Sequence, residues 1–311
     1  SPVFDSWIFM HQKHGYGPLA PNMWQDHFQM HELTEIMRQK DDKPFADLLN
    51  RLRTGEHTTN DVVHLKTCII DQASPEYSHS SPHLFPTNAL VDEHNQKVLL
   101  KSPHEKVTIA ARDEVTGDIP LQAKHLIAKS ISKNASQTAG LFSELTVAVN
   151  IRFETVANID VEDGLTNGSS GIVQKISYNQ SDNPIPSIVW VLFDDVHVGR
   201  QTRNKFKTFF TNENPNWTPI FAIKRTFQAS KRHVSIIRTQ FPLRPATAKT
   251  IHKSQGDTLQ NVVVNMGTRS FPHAHYVALS RVTKASGLQI ACLNENQIRV
   301  SQQVKDEMKR L

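Results

Sequence analysis

Thr250 to Gly256 reads TIHKSQG and leads into Asp257-Thr258-Leu259. Threonine, histidine, lysine, serine and glutamine side chains in one run supply the donors that grip phosphate oxygens, and Gly256 lets a backbone come close to a ligand. HYVALSRV, from His275 to Val282, puts one arginine, Arg281, at the end of an otherwise apolar helix. An arginine held on a packed helix is a rigid fork for a phosphate partner. An exposed helix-terminal arginine favoured by the helix dipole is the plainer alternative. ELTEIMRQKDD, from Glu32 to Asp42, places Arg38 after a short apolar stretch, as a further anion-facing group or as part of a solvated charge run. In LFPTNALVDEHN, from Leu84 to Asn95, Thr87 and Asn88 stand at the mouth between strand and helix. Open α/β sheets bind ligands at such strand ends, although the same pair could simply start the helix as a cap. Lys231-Arg232-His233 reads as a basic patch or as an exposed strand edge.

The elements that must carry these residues follow from apolar spacing. Pro21 to Leu33 repeats Met23, Trp24, Phe28 and Met30 at helical intervals, and Lys43 to Arg53 repeats Phe45, Leu48, Leu49 and Leu52 before Gly55. Thr58-Thr59-Asn60-Asp61 caps a further helix through Ile69. A strand at His83 to Phe85, a helix from Ala89 to about Leu100 and a strand at Val107 to Ala111 continue an α/β alternation. From about Leu145 to Thr239 turn signals such as Asn167-Gly168 and Asp182-Asn183-Pro184 separate short alternating runs. Ser169 to Tyr178, Ser187 to Phe193, Trp217 to Ile223 and His233 to Arg238 read as strands of a small antiparallel barrel or sandwich. After Pro245 come a helix around Ala248 to Ser254, a strand Asn261 to Met266, a helix His275 to Arg281, a strand Leu288 to Leu293 and a last helix. The fold class is therefore α/β, with a β module over 145–240 set between 1–144 and 241–311.

Composition narrows the partners. The 311 residues carry 35 Lys and Arg against 30 Asp and Glu, a formal charge of +5, and 16 histidines. Such a mildly basic surface favours polyanions. Apolar runs are too short for a membrane helix. Cys68 and Cys292 form no framework and no C-x-x-C, so a reducing compartment is expected. His11 with His14, and His273 with His275, lack cysteine or carboxylate partners at ligand spacing, so no metal site is expected. Trp7, Phe9, Trp24 and Phe28 are expected to pack a core.

In content and order these segments resemble the second half of a superfamily-one DNA helicase of the Pif type. ELTEIMRQ is similar to that family's motif four, LFPTN to the nucleic-acid motif after it, and NIDVEDGLTNGSSGIV to the entry into its inserted barrel. TIHKSQGDTL is similar to motif five and HYVALSRVTKASGL to motif six. The resemblance implies a RecA-like parallel-sheet domain interrupted by a small antiparallel β-barrel. It also implies a motor that unwinds DNA from five-prime to three-prime at the expense of ATP with Mg2+, in repair, recombination or telomere maintenance. In that scheme Arg38 and Arg281 act as arginine fingers on the γ-phosphate, with Gln255 and Gly256 beside the nucleotide. Thr87, Asn88, Thr250, His252 and Lys253 would contact the backbone of single-stranded DNA, the barrel would grip or steer forked or structured DNA, and the setting would be the nucleus or mitochondrion.

One departure is plain. The family's first RecA-like domain brings a phosphate loop, G-x-x-x-x-G-K-[ST], and an Asp-Glu magnesium box, and no Gly-Lys-Ser or Gly-Lys-Thr occurs in these residues. Asp92-Glu93 and Asp113-Glu114 read as solvated charge. The chain is thus expected to be a fragment beginning near the end of the missing domain, inactive on ATP alone. Asn150, Arg152 and Glu154, where more apolar residues are expected, suggest an eroded barrel. The rival expectations are a transposon-derived remnant that only binds single-stranded DNA, and a barrel that docks protein partners.

Overall fold

The computed structural model describes Trp24, His27, Gln29 and residues 35–228, 234–267 and 274–310. The expected helix over Pro21 to Leu33 lies almost wholly outside them, as do Trp7, Phe9, Phe28, His11, His14, His273 and Lys231 to His233. The chain forms two compact units, Ser1–Val91 with Ala248–Leu311, and Asp92–Thr247.

In the first unit α1 (Lys43–Thr54) opens where the Asp42 carboxylate accepts from the Phe45 N–H at 3.2 Å, and it stops at Gly55 in the left-handed region, φ 73°. Its Phe45, Leu48, Leu49 and Leu52 are buried, as the spacing requires. α2 (Thr59–Thr67) carries a reciprocal capping box between Thr58 and Asp61. Arg51 of α1 clamps Asp61 at 2.6 Å, so the two helices share one polar joint. β1 (His83–Phe85) follows, and α3 (Asn88–Lys101) runs on into the second unit.

The second unit contains β2 (Lys106–Ala110), β3 (Arg112–Val115), α4 (Leu121–Lys129), β4 (Glu144–Ala148), β5 (Arg152–Thr155), β6 (Ser170–Tyr178) and β7 (Pro186–Phe193). It continues through α5 (Arg200–Phe206), β8 (Thr218–Ile220), β9 (Ile223–Gln228), β10 (Ser235–Gln240) and β11 (Leu243–Pro245). Among the described residues its pairings are all antiparallel, in sheets ordered β11-β5-β6-β7-β8, β3-β10-β9 and β2-β4. The run expected as one strand from Trp217 to Ile223 is split at Phe221-Ala222 into β8 and β9, which serve different sheets.

The chain returns to the first unit through β12 (Ala248–Thr250), β13 (Val262–Asn265), α6 (Ala274–Leu279), β14 (Leu288–Cys292) and α7 (Gln302–Arg310). The sheet is fully parallel, in the order β12-β1-β13-β14. Val262, Val264, Leu288 and Ile290 pack with Leu48, Leu49, Leu52 and Leu65 in one core. This is the expected RecA-like α/β unit interrupted by an antiparallel insert.

Three expectations are corrected by contacts remote in sequence. Ala248 to Ser254 is not a helix: Ala248–Thr250 is an edge strand paired with His83–Phe85, and only His252–Ser254 turns, as a 3-10 element. The structure also divides the chain at 91/92 and 247/248 rather than at 144 and 240. Val107 pairs with Val147, and Asp113 with Arg238, which draws residues 92–144 into the insert. Finally, the polar residues read as solvated or eroded are engaged. Asp113 holds the buried Arg238 through two hydrogen bonds of 2.7 Å. Glu154 pairs with Arg244, Arg152 with Asp194, and Asn150 takes a left-handed turn at φ 61°.

Candidate functional site

The parallel pairing Phe85↔Thr250 makes β1 and β12 end side by side, and the Ile251 N–H donates to Phe85 O at 2.9 Å. Pro86-Thr87-Asn88 and Ile251-His252-Lys253 therefore leave the same carboxyl edge of the sheet. In open α/β sheets that edge is where ligands sit. Thr87 does begin α3: its hydroxyl accepts from the Leu90 N–H at 3.4 Å, and its carbonyl from Val91 at 3.2 Å. Asn88, His252 and Lys253 are exposed, whereas Thr250 is buried with its hydroxyl facing the Lys253 N–H at 3.4 Å. Gln255 and Gly256 are exposed on the loop beyond, with Gly256 at φ 96°. A strand-turn geometry thus brings Thr250, His252 and Lys253 to the same edge as Thr87 and Asn88, where the expected helix would have spread those three around its circumference.

Arg281 lies just past α6 and is buried rather than exposed. Its guanidinium donates to Val277 O at 2.8 Å, to Ser280 Oγ at 2.8 Å and to Ser254 O at 3.5 Å. Arg38 donates to Thr258 Oγ1 at 3.1 Å and to Ser280 O at 3.2 Å. Two arginines remote in sequence therefore meet around Ser280. Burial first, and the Arg38 charge second, lower the pKa of Arg281, with Tyr276 and Asp257 acting in the opposite sense. Asp257 itself is engaged by Lys249 at 2.8 Å. A partly desolvated guanidinium beside a like charge is stabilised by an arriving anion, and two forks side by side suit a phosphoryl group.

Residues that sequence reasoning passed over hold this pair in place. The buried Gln39 amide donates to Ser280 O at 3.2 Å and to Val282 O at 2.7 Å. The Asp42 carboxylate accepts from the Ala285 N–H at 2.9 Å. The Leu259 N–H donates to Arg281 O at 2.9 Å, and the Thr283 N–H returns to Leu259 O at 3.0 Å. The segment Thr250 to Leu259 is consequently laced by backbone to the segment carrying Arg281. Gln39 and Thr258 lie inside the quoted motifs, but only their folded partners reveal the role. Among the described residues, no group of three or more His, Cys, Asp or Glu side chains is arranged to hold a metal ion. The two guanidiniums around Ser280 are the densest positive charge of this site, each anchored to backbone or hydroxyl acceptors.

Known proteins that resemble this chain are helicases of the Pif type. No protein-family model matches the chain. ATP-dependent DNA helicase PIF1 of Emericella nidulans is 27% identical over 304 residues, covering 88% of this chain and 38% of that protein. The crystal structure of the Pif1 helicase from Candida albicans superposes with a TM-score of 0.66 at 25% identity, covering 92% of this chain and 62% of that one. The Bacteroides Pif1 helicase in complex with ADP-AlF3 and single-stranded DNA superposes with a TM-score of 0.62 at 21% identity, over 91% of this chain and 56% of that one. The chain is thus similar to Pif-type helicases over nearly its whole length, and spans under two fifths of the curated relative.

Proposed function

We propose that this chain supplies the second RecA-like domain, with its inserted β unit, of a Pif-type ATP-dependent DNA helicase. The observation that carries this reading is the meeting of Arg38 and Arg281 around Ser280, on a scaffold laced to the Thr250–Leu259 segment. In this reading the phosphate loop and the magnesium ligands come from a first RecA-like domain. ATP with Mg2+ supplies the phosphoryl group to be transferred. Arg38 and Arg281 face its oxygens and stabilise the charge that spreads over them as the bond to the leaving group loosens. Gln255 and Gly256 stand beside the nucleotide, a few residues before Leu259, whose N–H donates to Arg281 O. Thr87, Asn88, Thr250, His252 and Lys253 hold the strand by its backbone, which positions DNA without reading sequence.

The intact protein would then translocate five-prime to three-prime along single-stranded DNA and open forked or structured duplexes. Repair, recombination or telomere maintenance in nucleus or mitochondrion is the setting the resemblance suggests. A fluorescence anisotropy titration of this chain with single-stranded DNA across a salt series tests the DNA half. Binding should weaken with salt, be indifferent to sequence, and lose about 0.7 in the slope of log affinity against log salt on Lys253→Glu. Binding unchanged by Lys253→Glu would favour a protein-docking role. In the complete protein, single-strand affinity that ignores the nucleotide state would favour a DNA-binding remnant.

A further inference from the structure

The inserted unit carries an aromatic and cationic surface that the RecA-like site does not use. Residues 200–210, RQTRNKFKTFF, hold Arg200, Arg203, Lys205 and Lys207 with three phenylalanines and no carboxylate. Asp163 fixes the start of α5, its carboxylate accepting from the Gln201 and Thr202 N–H groups at 2.6 and 2.9 Å. Gly199, at φ 73°, lets this helix lie against β8, since a Cβ there would meet Thr218 at 2.4 Å. Phe210 packs edge-on against Trp190, ring centroids 4.9 Å apart, and Phe206 tilts against Phe221 at 5.1 Å. The Trp190 indole N–H is held by Ser177 Oγ at 2.8 Å, so the ring is fixed. Between Trp190, Phe206, Phe210 and Trp217 lies a cavity of about 360 Å³ with Asn204 and Lys207 also lining it.

Its charges are sorted by role. Arg203 turns inward, donating to Val198 O at 2.7 Å and Thr218 Oγ1 at 2.8 Å, and so belongs to the scaffold. Glu213, which also lines the cavity, is paired with Lys175. Lys205 and Lys207 are exposed, and Phe209 beside them is 75% exposed. The groove therefore presents positive charge around half-buried rings. Flat π-faces accept any base, and cations beside them accept the phosphates between bases.

We propose that this groove is a base-stacking site for single-stranded nucleic acid, with an unpaired base among Phe206, Phe210 and Trp217 and the adjoining phosphate on Lys207. The proposal rests on single-stranded DNA being the substrate. It adds a contact that reads the presence of bases, which the backbone contacts of the parallel sheet do not.

The test is a titration of the whole chain with oligothymidylate and with an abasic strand of equal length, followed by tryptophan emission and by anisotropy. Oligothymidylate should quench the emission, and the abasic strand should bind about tenfold more weakly. Trp217→Phe should retain binding and lose most of the quenching. Phe210→Leu should bring oligothymidylate down to the abasic level. Lys207→Glu should weaken both strands and flatten the salt dependence. Should Phe210→Leu fail to unfold cooperatively in urea, the abasic comparison and Trp217→Phe decide the matter. If neither strand binds the unaltered chain, the helicase reading falls and takes this site with it. If both strands bind equally without quenching, the groove proposal alone falls. It falls as well if Lys207→Glu leaves DNA binding intact and abolishes capture of an acidic aromatic peptide.

Discussion

Arg281 shows how burial changes what a residue can do. Packed against Ser280 and near a second arginine, it has its guanidinium held in one orientation by Val277 O, Ser254 O and Ser280 Oγ. In the proposed reading, Arg281→Ala in the complete protein should cut ATP turnover by about a thousandfold or more while leaving single-strand affinity within a few fold; retained turnover in a coupled assay would remove the finger role. The Arg238 guanidinium is a structural counterpart. It is 1% exposed, paired with Asp113, bonded to Thr138 Oγ1 and Leu141 O, and set over the Phe227 ring at 5.5 Å. Asp113→Ala would leave that charge buried without its counter-ion, and should cost about 3–5 kcal/mol in urea unfolding. The double change Asp113→Leu with Arg238→Met should recover much of the loss. His275 sets a pH dependence. It is buried, neither ring nitrogen has a hydrogen-bond partner among the described residues, and burial pushes its pKa from 6.5 down to about 4. Its folded pKa is depressed, so above pH 6.5 the ring is neutral in both states. As the pH falls toward 4 the unfolded chain takes the proton first. Stability should therefore decline across that window by about 3 kcal/mol from this group. His275→Leu should flatten the decline when urea midpoints at pH 7 and pH 4.5 are compared.

Among the elements, α5 takes its cap from a residue distant in sequence. It is seven residues long and has no side-chain cap from its own neighbour Gly199. The cap comes from Asp163, buried in the loop after β5, whose carbonyl also accepts from the Gly199 N–H at 2.8 Å. A helix this short is marginal alone. Asp163→Ala should cost about 1–2 kcal/mol, and amide exchange across residues 200–206 should rise before that of β6 or β7. Equal protection in the variant would show that the aromatic packing alone holds the helix. The edge strand β12 follows the same logic: its residues become a strand because the free edge of β1 offers them backbone partners. Sequence pattern made the same residues a helix, since KTIHKS alternates too briefly to reveal a three-residue strand.

For the whole molecule, the insert carries its own cores, one around Phe153, Val173, Val189 and Leu243 and one around Ile127 and Ile236. Its two ends are tied to each other: Thr247 Oγ1 donates to Asn95 Oδ1 at 2.6 Å, and the Asn95 amide donates to Pro245 O at 3.1 Å. A unit with a closed core and adjacent ends should fold on its own. Residues 92–247 expressed alone should give one cooperative urea transition with dispersed amide resonances, and Asn95→Ala should lower its midpoint. A molten, uncooperative product would show that the parallel sheet is needed to template the insert.

The α/β class, a helix over 43–53, a further helix after Thr58 and a strand-rich insert are legible in the chain's local pattern, because helical spacing, caps and turn residues act within a few positions. The same pattern marks Arg38, Arg281 and the donors of TIHKSQG as exceptions to bland helix surface. The meeting of Arg38 and Arg281 at Ser280, the bracing by Gln39 and the shared sheet edge of Thr87 and Lys253 arise from three-dimensional contacts alone. So do the ion pairs of Asp113, Glu154 and Arg152, and the place of residues 92–144 with the insert. The physical reason is common to all of these. A hydrogen bond or ion pair between groups far apart in the chain leaves no periodic trace, because its partner is fixed by strand pairing and core packing and not by spacing.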